Sequence, residues 1–552
     1  MNISTNIRKL TNIFILFFLA LSGALVYWQV AVAKEVTANE HNSRFCLPDN
    51  APVRGNIFDA NGVVLAYSQR DPNGRCGYKR IYTEPSLAGL IGYYVPGYQM
   101  TGIEAQYDDV LSGRSGSTQL GNTVNSILHR APLGTDIYLT IDERIQKIAD
   151  QHYDDPTSTA STQQSKRGSV VITDPHTGAV LAMVSRPNFD PNKMVQTLQE
   201  NDLSYYNQLV ADPDTPLLER PLQGRYPPGS VYKTLTLLAG LDSGSTHLND
   251  EYDKKHAVGP IEYSGQVIGP GGNNIDLPDA NPPYTHHYPV NVEYAFTHSD
   301  NIIFAQVGVK AGFDAWMDYN KRFYVGQQMG PSNDLFDLPV AASRVLPEGK
   351  DKMEDNELAA DSFGQGTDFV TPFQMSLIDN AIANNGPLMR PRLLLKETDH
   401  QTVTDPQKSY QGNVIQTFDQ RELSTPISQQ TAAQTRQAMF GVTFCGSGSL
   451  VKDLFSSKAS IVGKTGTAQI GGAGTFPHGW MMTQAPYSVK NPDQLPALTI
   501  VAMKENDGHG AEAVGPMIAH MYEDILINNK YVPAQLPGSP DFNYCTRTGL
   551  LQ

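Results

Sequence analysis

The chain has 552 residues, of which 40% are hydrophobic and 18% charged, and its formal net charge is −15. That length and apolar content support two or more domains with real cores. The acidic balance and the lack of any basic block argue against a nucleic-acid-binding protein.

The N-terminal stretch MNISTNIRKL carries Arg8 and Lys9 and no acid. A mostly apolar run follows from Ile13 to Ala33, about 20 residues, which is long enough to cross a bilayer. The positive residues before it put the N-terminus in the cytoplasm, and Tyr27 and Trp28 suit an interfacial belt. Ala31-Val32-Ala33 also resembles a signal-peptide cleavage site, but the run is long for a signal and favours a retained anchor. Residues 1–12 then form a cytoplasmic tail and residues 13–33 a single-pass transmembrane anchor. Either way, residues 34–552 lie outside the cytoplasm, at the cell membrane if the anchor is kept.

Residues 34–133 are rich in turns and read as a structural or protein-binding domain without a catalytic constellation. Arg54 to Ser68 predicts two strands around an Asn61-Gly62 turn. Gly102 to Gly113 predicts one short helix ending near a glycine. Asp136 to Asp155 predicts a strand and then a helix starting at Thr140 or Asp142. Ser158 to Arg167 is a polar linker. Gly168 to Ser185 predicts two strands around a Pro-His-Thr-Gly turn, expected at the centre of an antiparallel sheet.

Next comes YPPGSVYK, Tyr226 to Lys233. Pro227, Pro228 and Gly229 cannot sit inside a helix, whereas Val231, Leu235, Leu238 and Leu241 keep helical spacing. Ser230 therefore lies near a helix N-terminus. Lys233, three residues on, shares its face, with Cβ atoms roughly 5–6 Å apart. A serine hydroxyl needs a base before it attacks, and a lysine serves only if burial or nearby positive charge lowers its pKa. The competing reading is an ordinary N-cap. Ser449 and Lys452 repeat the spacing, so companions must decide.

Two companions follow in order. Ser299-Asp300-Asn301 lies between the apolar stretches VEYAF and IIFAQVGV, and Lys464-Thr465-Gly466-Thr467 lies in the strand-like run SIVGKTGTAQI. Gly269 to Asn274 reads as a flexible loop with only a weak phosphate-cradle signal. Ser362 to Gly386 is a glycine-rich turn leading into a helix. Leu498 to Glu505 is a late strand, GPMIAHMYEDIL a last helix, and residues 536–552 a polar tail. This order implies an α+β domain over residues 134–535 whose sheet is closed by both ends of its sequence.

Four cysteines in an exported chain allow two disulfides in three connectivities. Cys46 with Cys76 and Cys445 with Cys545 are the expected pairs, against the alternative of free thiols. No Cys-x-x-Cys or His-Glu-x-x-His occurs and His286-His287 lacks metal spacing, so no metal is expected.

The ordered set Ser230-x-x-Lys233, Ser299-Asp300-Asn301 and Lys464-Thr465-Gly466 matches the signature of penicillin-binding proteins. With RGNIFDANGVVLA, TGAVLAMVSRPNFDPN, the Gly364–Gly366 GQG followed by VTPFQ, and GKTGTAQ, nearly the whole chain resembles the class B penicillin-binding proteins, membrane-anchored D,D-transpeptidases of bacterial cell-wall synthesis. EPSLAGLIGYY and GIEAQYDDVLSG look most like the short-pedestal branch of actinobacteria and related Gram-positive groups. Too little chain separates anchor and catalytic domain for the bifunctional, glycosyltransferase-bearing class. Two departures stand out. Trp480 to Pro486 reads WMMTQAP where the family commonly has Trp-Phe-x-Gly-x-Ala-Pro, and CGSGSL replaces a common Gly-Thr-Gly.

The resemblance implies a penicillin-binding, serine-β-lactamase-like transpeptidase domain, an antiparallel sheet flanked by helices, beside a smaller pedestal and one transmembrane helix. It implies Ser230 as nucleophile toward a stem peptide ending in D-Ala-D-Ala, and Lys233 as the base. Ser299 relays a proton to the leaving amine and Asn301 holds Lys233 and the substrate. Lys464 supplies positive charge, Thr465 and Thr467 bind the terminal carboxylate, and Gly466 leaves room for an extended peptide on the strand edge. Asn301 and Thr465 have an alternative as local hydrogen-bonders. The implied partners are peptidoglycan stem peptides and their lipid-linked precursor, β-lactam antibiotics, the cytoplasmic membrane and a membrane glycosyltransferase of the SEDS type, in division or cell-shape synthesis. No cofactor is implied. A D,D-carboxypeptidase, or a β-lactam-binding sensor or scaffold, is the alternative.

Overall fold

The computed structural model describes residues 3–27, 53–72, 77–96, 98–114, 133–155, 165–271, 275–276, 288–455, 459–471, 475–538 and 540–550. Helix α1 (Ile3–Val26) takes in the first part of the apolar run. Phe14, Leu16, Phe17 and Phe18 on it are 69–74% exposed. Among the described residues no helix is long and apolar enough to cross a membrane. Trp28 to Ala33, Cys46 and Cys76, and His286-His287 lie outside the described residues.

The expected hairpin is present as β1 (Ile57–Phe58) and β2 (Val64–Arg70), paired antiparallel. The Asp59 carboxylate accepts the N–H groups of Asn61 and Val63 at 2.7 and 2.8 Å, and Gly62 takes φ +85°. Asp and Gly carry this turn because one offers a local acceptor and the other tolerates positive φ. After β3 (Tyr78–Tyr82) come two short helices, Gly102–Gln106 and Asp108–Leu111, where one was expected. Strand β4 (Asp136–Leu139) leads to α2 (Glu143–Tyr153), N-capped by Asp142 through the Arg144 N–H.

The second part of the chain contains β5 (Gly168–Thr173), β6 (Val180–Arg186), a 3₁₀ turn at Gly229–Tyr232 running into α3 (Lys233–Asp242), α4 (Val292–His298), α5 (Asn301–Ala311) and α6 (Pro372–Ala383). Then follow β7 (Leu394–Thr398), β8 (Val414–Thr417), α7 (Gln429–Phe444), β9 (Ser460–Ala468), β10 (His478–Tyr487), β11 (Leu498–Lys504) and α8 (Gly510–Tyr522).

Two main sheets result. One has the order β8-β7-β4-β1-β2-β3, with β1 and β4 parallel, so it takes strands from both sides of the 133/134 division. The other is antiparallel with the order β9-β10-β11-β5-β6, closed by early and late segments as expected. The β5–β6 hairpin stands at one edge and β11 in the centre, contrary to expectation. The physical reason lies on α2: Gln146 accepts the Met183 N–H at 2.8 Å and donates to its carbonyl at 3.0 Å. The Asp142 N–H donates to the Leu181 carbonyl at 2.9 Å and the Val180 N–H to the Arg392 carbonyl at 3.1 Å, so the outer edge of β6 is covered and no further described strand pairs there.

Successive strand residues face opposite layers. Val170, Ile172, Met481, Ile500 and Ala502 pack with α2 and α8, while Val171, Trp480, Met482, Val501 and Met503 belong to the core with α3, α6 and α7. The expected polar tail is instead docked on the fold over residues 544–550. Cys445 and Cys545 form a disulfide, Tyr544 and Leu550 are 4% and 1% exposed, and Tyr544 donates to Glu293 at 2.8 Å. An apolar pair and a covalent link dock residues 544–550 beneath α4 and α7; the polar composition around them hid this.

Candidate active site

The turn carrying Ser230 passes through a narrow gap. Tyr226 pairs with Val370 through two backbone hydrogen bonds of 2.9 Å, and the Gly229 N–H donates to the Gly364 carbonyl at 3.1 Å. Gly229 and Gly364 both have positive φ, +57° and +78°. A Cβ on Gly364 would lie 2.0 Å from the Gly229 oxygen, and one on Gly229 would lie 2.5 Å from the Thr467 oxygen. Glycine is required at both places, for conformation and for approach. A Cβ on Gly466 would meet Pro228, Val231 and Trp480 at 2.9–3.1 Å. Gly466 thus makes room for the serine turn itself. The Trp480 indole N–H donates to the Pro227 carbonyl at 3.1 Å, so the retained aromatic of the WMMTQAP run supports the same turn.

Lys233 is the hub. Its Nζ lies 3.0 Å from Ser230 Oγ, 2.6 Å from the Ser299 carbonyl, 3.2 Å from Ser299 Oγ and 2.5 Å from Asn301 Oδ1. The Ser299 carbonyl and the Asn301 amide oxygen accept only, so both take an N–H from the amine. A neutral amine has two N–H groups and one lone pair. With both N–H groups committed, the lone pair is left for a hydroxyl proton. Ser299 can face the amine in this way because it caps α4 in the left-handed region, φ +62° and ψ +41°, while Asp300 N-caps α5 through the Ile303 N–H.

Burial pushes the Lys233 pKa below the ordinary lysine value, and the charge of Asp300 pulls it partly back. Burial raises Asp300 in turn, against hydrogen bonding from Ile303 and the charge of Lys233. Lys464 is fully buried on β9, and burial followed by repulsion from Lys233 lowers its pKa strongly. Two desolvated amines this close disfavour simultaneous charging. Lys464 Nζ donates to Ser299 Oγ at 2.9 Å and to the Thr465 carbonyl at 3.0 Å. The Ser299 hydroxyl therefore stands between the two amines.

Strand β9 is an edge strand, paired only with β10 among the described strands. Thr465 Oγ1 lies 2.7 Å from the Ser447 hydroxyl, and Thr467 Oγ1 lies 3.5 Å from His509 Nδ1. The second Ser-x-x-Lys is not assembled in this way. Ser449 precedes a short helix, Leu450–Leu454, and Lys452 is exposed with Nζ 5.0 Å from the centre of the Phe444 ring. Three further residues touch the site without being sequence candidates. Asp300 sits inside the Ser299-Asp300-Asn301 motif, but only its burial reveals its charge coupling. Gln365, whose amide donates to the Thr467 carbonyl at 3.1 Å, had the GQG pattern as its signal. Ser447 had none beyond CGSGSL.

The family described as the penicillin binding protein transpeptidase domain matches residues 168–520, and the penicillin binding protein A dimerisation domain matches residues 54–137. The peptidoglycan D,D-transpeptidase PbpA of Mycolicibacterium smegmatis is 29% identical over 539 residues, covering 94% of this chain and 96% of its own. The peptidoglycan D,D-transpeptidase MrdA of Escherichia coli K12 is 27% identical over 548 residues, covering 88% of this chain and 78% of its own. The structure of penicillin-binding protein A from M. tuberculosis as an imipenem acyl-enzyme complex has a TM-score of 0.71 and 27% identity, covering 87% of this chain and 100% of that one.

Proposed function

Because the chain belongs to the penicillin binding protein transpeptidase family, which matches residues 168–520, we propose that it is a serine D,D-transpeptidase that cross-links peptidoglycan stem peptides and is acylated by β-lactams. Its relatives carry that activity in their names, and an imipenem acyl-enzyme is among its structural neighbours. The observation that carries the reading is the Lys233 amine, whose N–H groups are committed to the Ser299 carbonyl and Asn301 at 2.6 and 2.5 Å while Ser230 Oγ stands 3.0 Å away.

Ser230 Oγ attacks the penultimate D-Ala carbonyl as its proton passes to Lys233. The oxyanion is held by the backbone N–H groups of Ser230 and Thr467; one such donor is typically worth about 2.7–4 kcal/mol. The proton moves through the Ser299 hydroxyl to the leaving amine, the C–N bond breaks, and D-Ala departs. An amine of a neighbouring stem then attacks the acyl carbon. It returns a proton through the same groups, forms the cross-link amide and frees Ser230. Asn301 fixes Lys233 and the substrate backbone. Lys464 and the hydroxyls of Thr465 and Thr467 receive the terminal carboxylate. The substrate lies as an added strand on the open edge of β9.

The finer parts of the proposal concern place and partners. Helix α1 is the start of a membrane anchor over residues 13–33, supported by its exposed phenylalanines. Residues 1–12 stay in the cytoplasm, residues 34–133 form most of the pedestal, and residues 134–535 form the catalytic domain on the outer side. A SEDS-type glycosyltransferase supplies the glycan strands.

The direct test incubates the full-length protein with lipid-linked substrate and a glycan polymerase. Cross-linked stem dimers should form, and Ser230→Ala should abolish them. Release of D-Ala without any dimers would make the protein a carboxypeptidase instead.

A further inference from the structure

At the end of α2, His152 and Asp155 stand side by side, with the Asp155 N–H bonded to the His152 carbonyl at 3.0 Å. His520 of α8 faces them. Asp155 Oδ2 lies 2.7 Å from His152 Nδ1 and 2.6 Å from His520 Nδ1. The two ring nitrogens and the carboxylate oxygen lie within 4.8 Å of one another. On the far side of the first ring, His152 Nε2 lies 2.9 Å from Asp524 Oδ2, and Asn528 holds the other Asp524 oxygen at 2.8 Å.

A neutral imidazole carries one N–H, yet His152 meets a carboxylate oxygen at each nitrogen. If Nε2 donates to Asp524, the Nδ1 lone pair points at Asp155, toward the oxygen that His520 Nδ1 also approaches. That convergence is met by a proton on His152 Nδ1 or by a metal ion between the rings and Asp155. A carboxylate on the outer nitrogen is the usual support for a metal-bound histidine, since it fixes the tautomer and orients the ring. The chain segments are 365 residues apart at Asp155 and His520, so no local ligand spacing announced the cluster.

We propose that His152 Nδ1, His520 Nδ1 and Asp155 bind one zinc ion, with Asp524 orienting His152 and water completing the coordination. Two nitrogens and one carboxylate suit zinc, which takes three protein ligands in open tetrahedral sites. The contacts of 2.6 and 2.7 Å must widen to about 3.3 Å around a tetrahedral ion. This is a small side-chain adjustment for groups that are 22–42% exposed. The ion ties α2 to the C-terminal half of α8. The first residue of α8, Gly510, donates its N–H to Thr467 Oγ1 at 3.4 Å, so the same helix touches the site strand at its other end.

The test uses the tag-free, full-length chain in detergent, stripped with chelator and titrated with zinc chloride by calorimetry. One equivalent of zinc should bind, and cobalt in its place should give the visible absorption of a tetrahedral ion. His520→Ala and the nearly isosteric Asp155→Asn should weaken binding at least 100-fold. Asp524→Asn should weaken it about 10- to 100-fold. A metal-free melt of each variant shows that it folds. No stoichiometric zinc binding by the unaltered chain overturns the proposal and leaves the cluster as ion pairs. So does a one-to-one complex that His520→Ala and Asp155→Asn leave unchanged.

Discussion

Lys233 acts as a base only when neutral, that is, above its pKa. Burial lowers that pKa and Asp300 opposes the shift. Asp300→Asn keeps the N-cap of α5, since asparagine caps as well as aspartate, but removes the charge. The Lys233 pKa should then fall further, and the acid limb of the acylation rate should move to lower pH. Rates of labelling by a fluorescent penicillin across a pH series measure this; a shift to higher pH, or none, contradicts the coupling. Ser230, Lys233, Ser299, Asn301, Lys464, Thr465, Gly466 and Thr467 were all legible as motif members. The roles of Asp300, Gln365 and Ser447 were not, because each acts through a neighbour brought in by folding. Gly466 was legible as a need for space, and its missing side chain faces Pro228, Val231 and Trp480.

The elements around Ser230 meet through glycines, so their tolerance is low. Gly364→Ala places a Cβ 2.0 Å from the Gly229 oxygen at φ +78°. Backbone of that kind costs a side-chain-bearing residue of order 1–3 kcal/mol, before the clash is counted. Its relief displaces Gly229 and with it Ser230. The variant should melt at lower temperature and acylate more slowly; unchanged melting and labelling would show that the loop does not brace the turn. Most elements followed from period and punctuation, such as the Asn61-Gly62 turn and the Asp142 cap. The place of the β5–β6 hairpin did not, because Gln146, Asp142 and Arg392 cover the edge of β6 from other segments and no pattern in the strands records it.

At the scale of the whole molecule, the N-terminal sheet is not a local product. Strand β1 pairs in parallel with β4, and β4 pairs with β7, whose residues 394–398 come from deep in the second part of the chain. A fragment of residues 34–133 lacks β4, β7 and β8 and should show no cooperative melt by circular dichroism; a sharp transition would contradict the interlocking. Long-range parallel pairing leaves little trace in sequence, which is why the division at 133/134 cut through a sheet. The antiparallel sheet was easier, since strands at both ends of one domain have few other ways to close it. All of this frames one serine. The most direct measurement is the mass of the peptide that carries the adduct after incubation with a β-lactam. The acyl group should sit on Ser230, vanish in Ser230→Ala and persist in Ser449→Ala. An adduct on Ser449, or one that survives Ser230→Ala, would contradict the chemistry proposed for this chain.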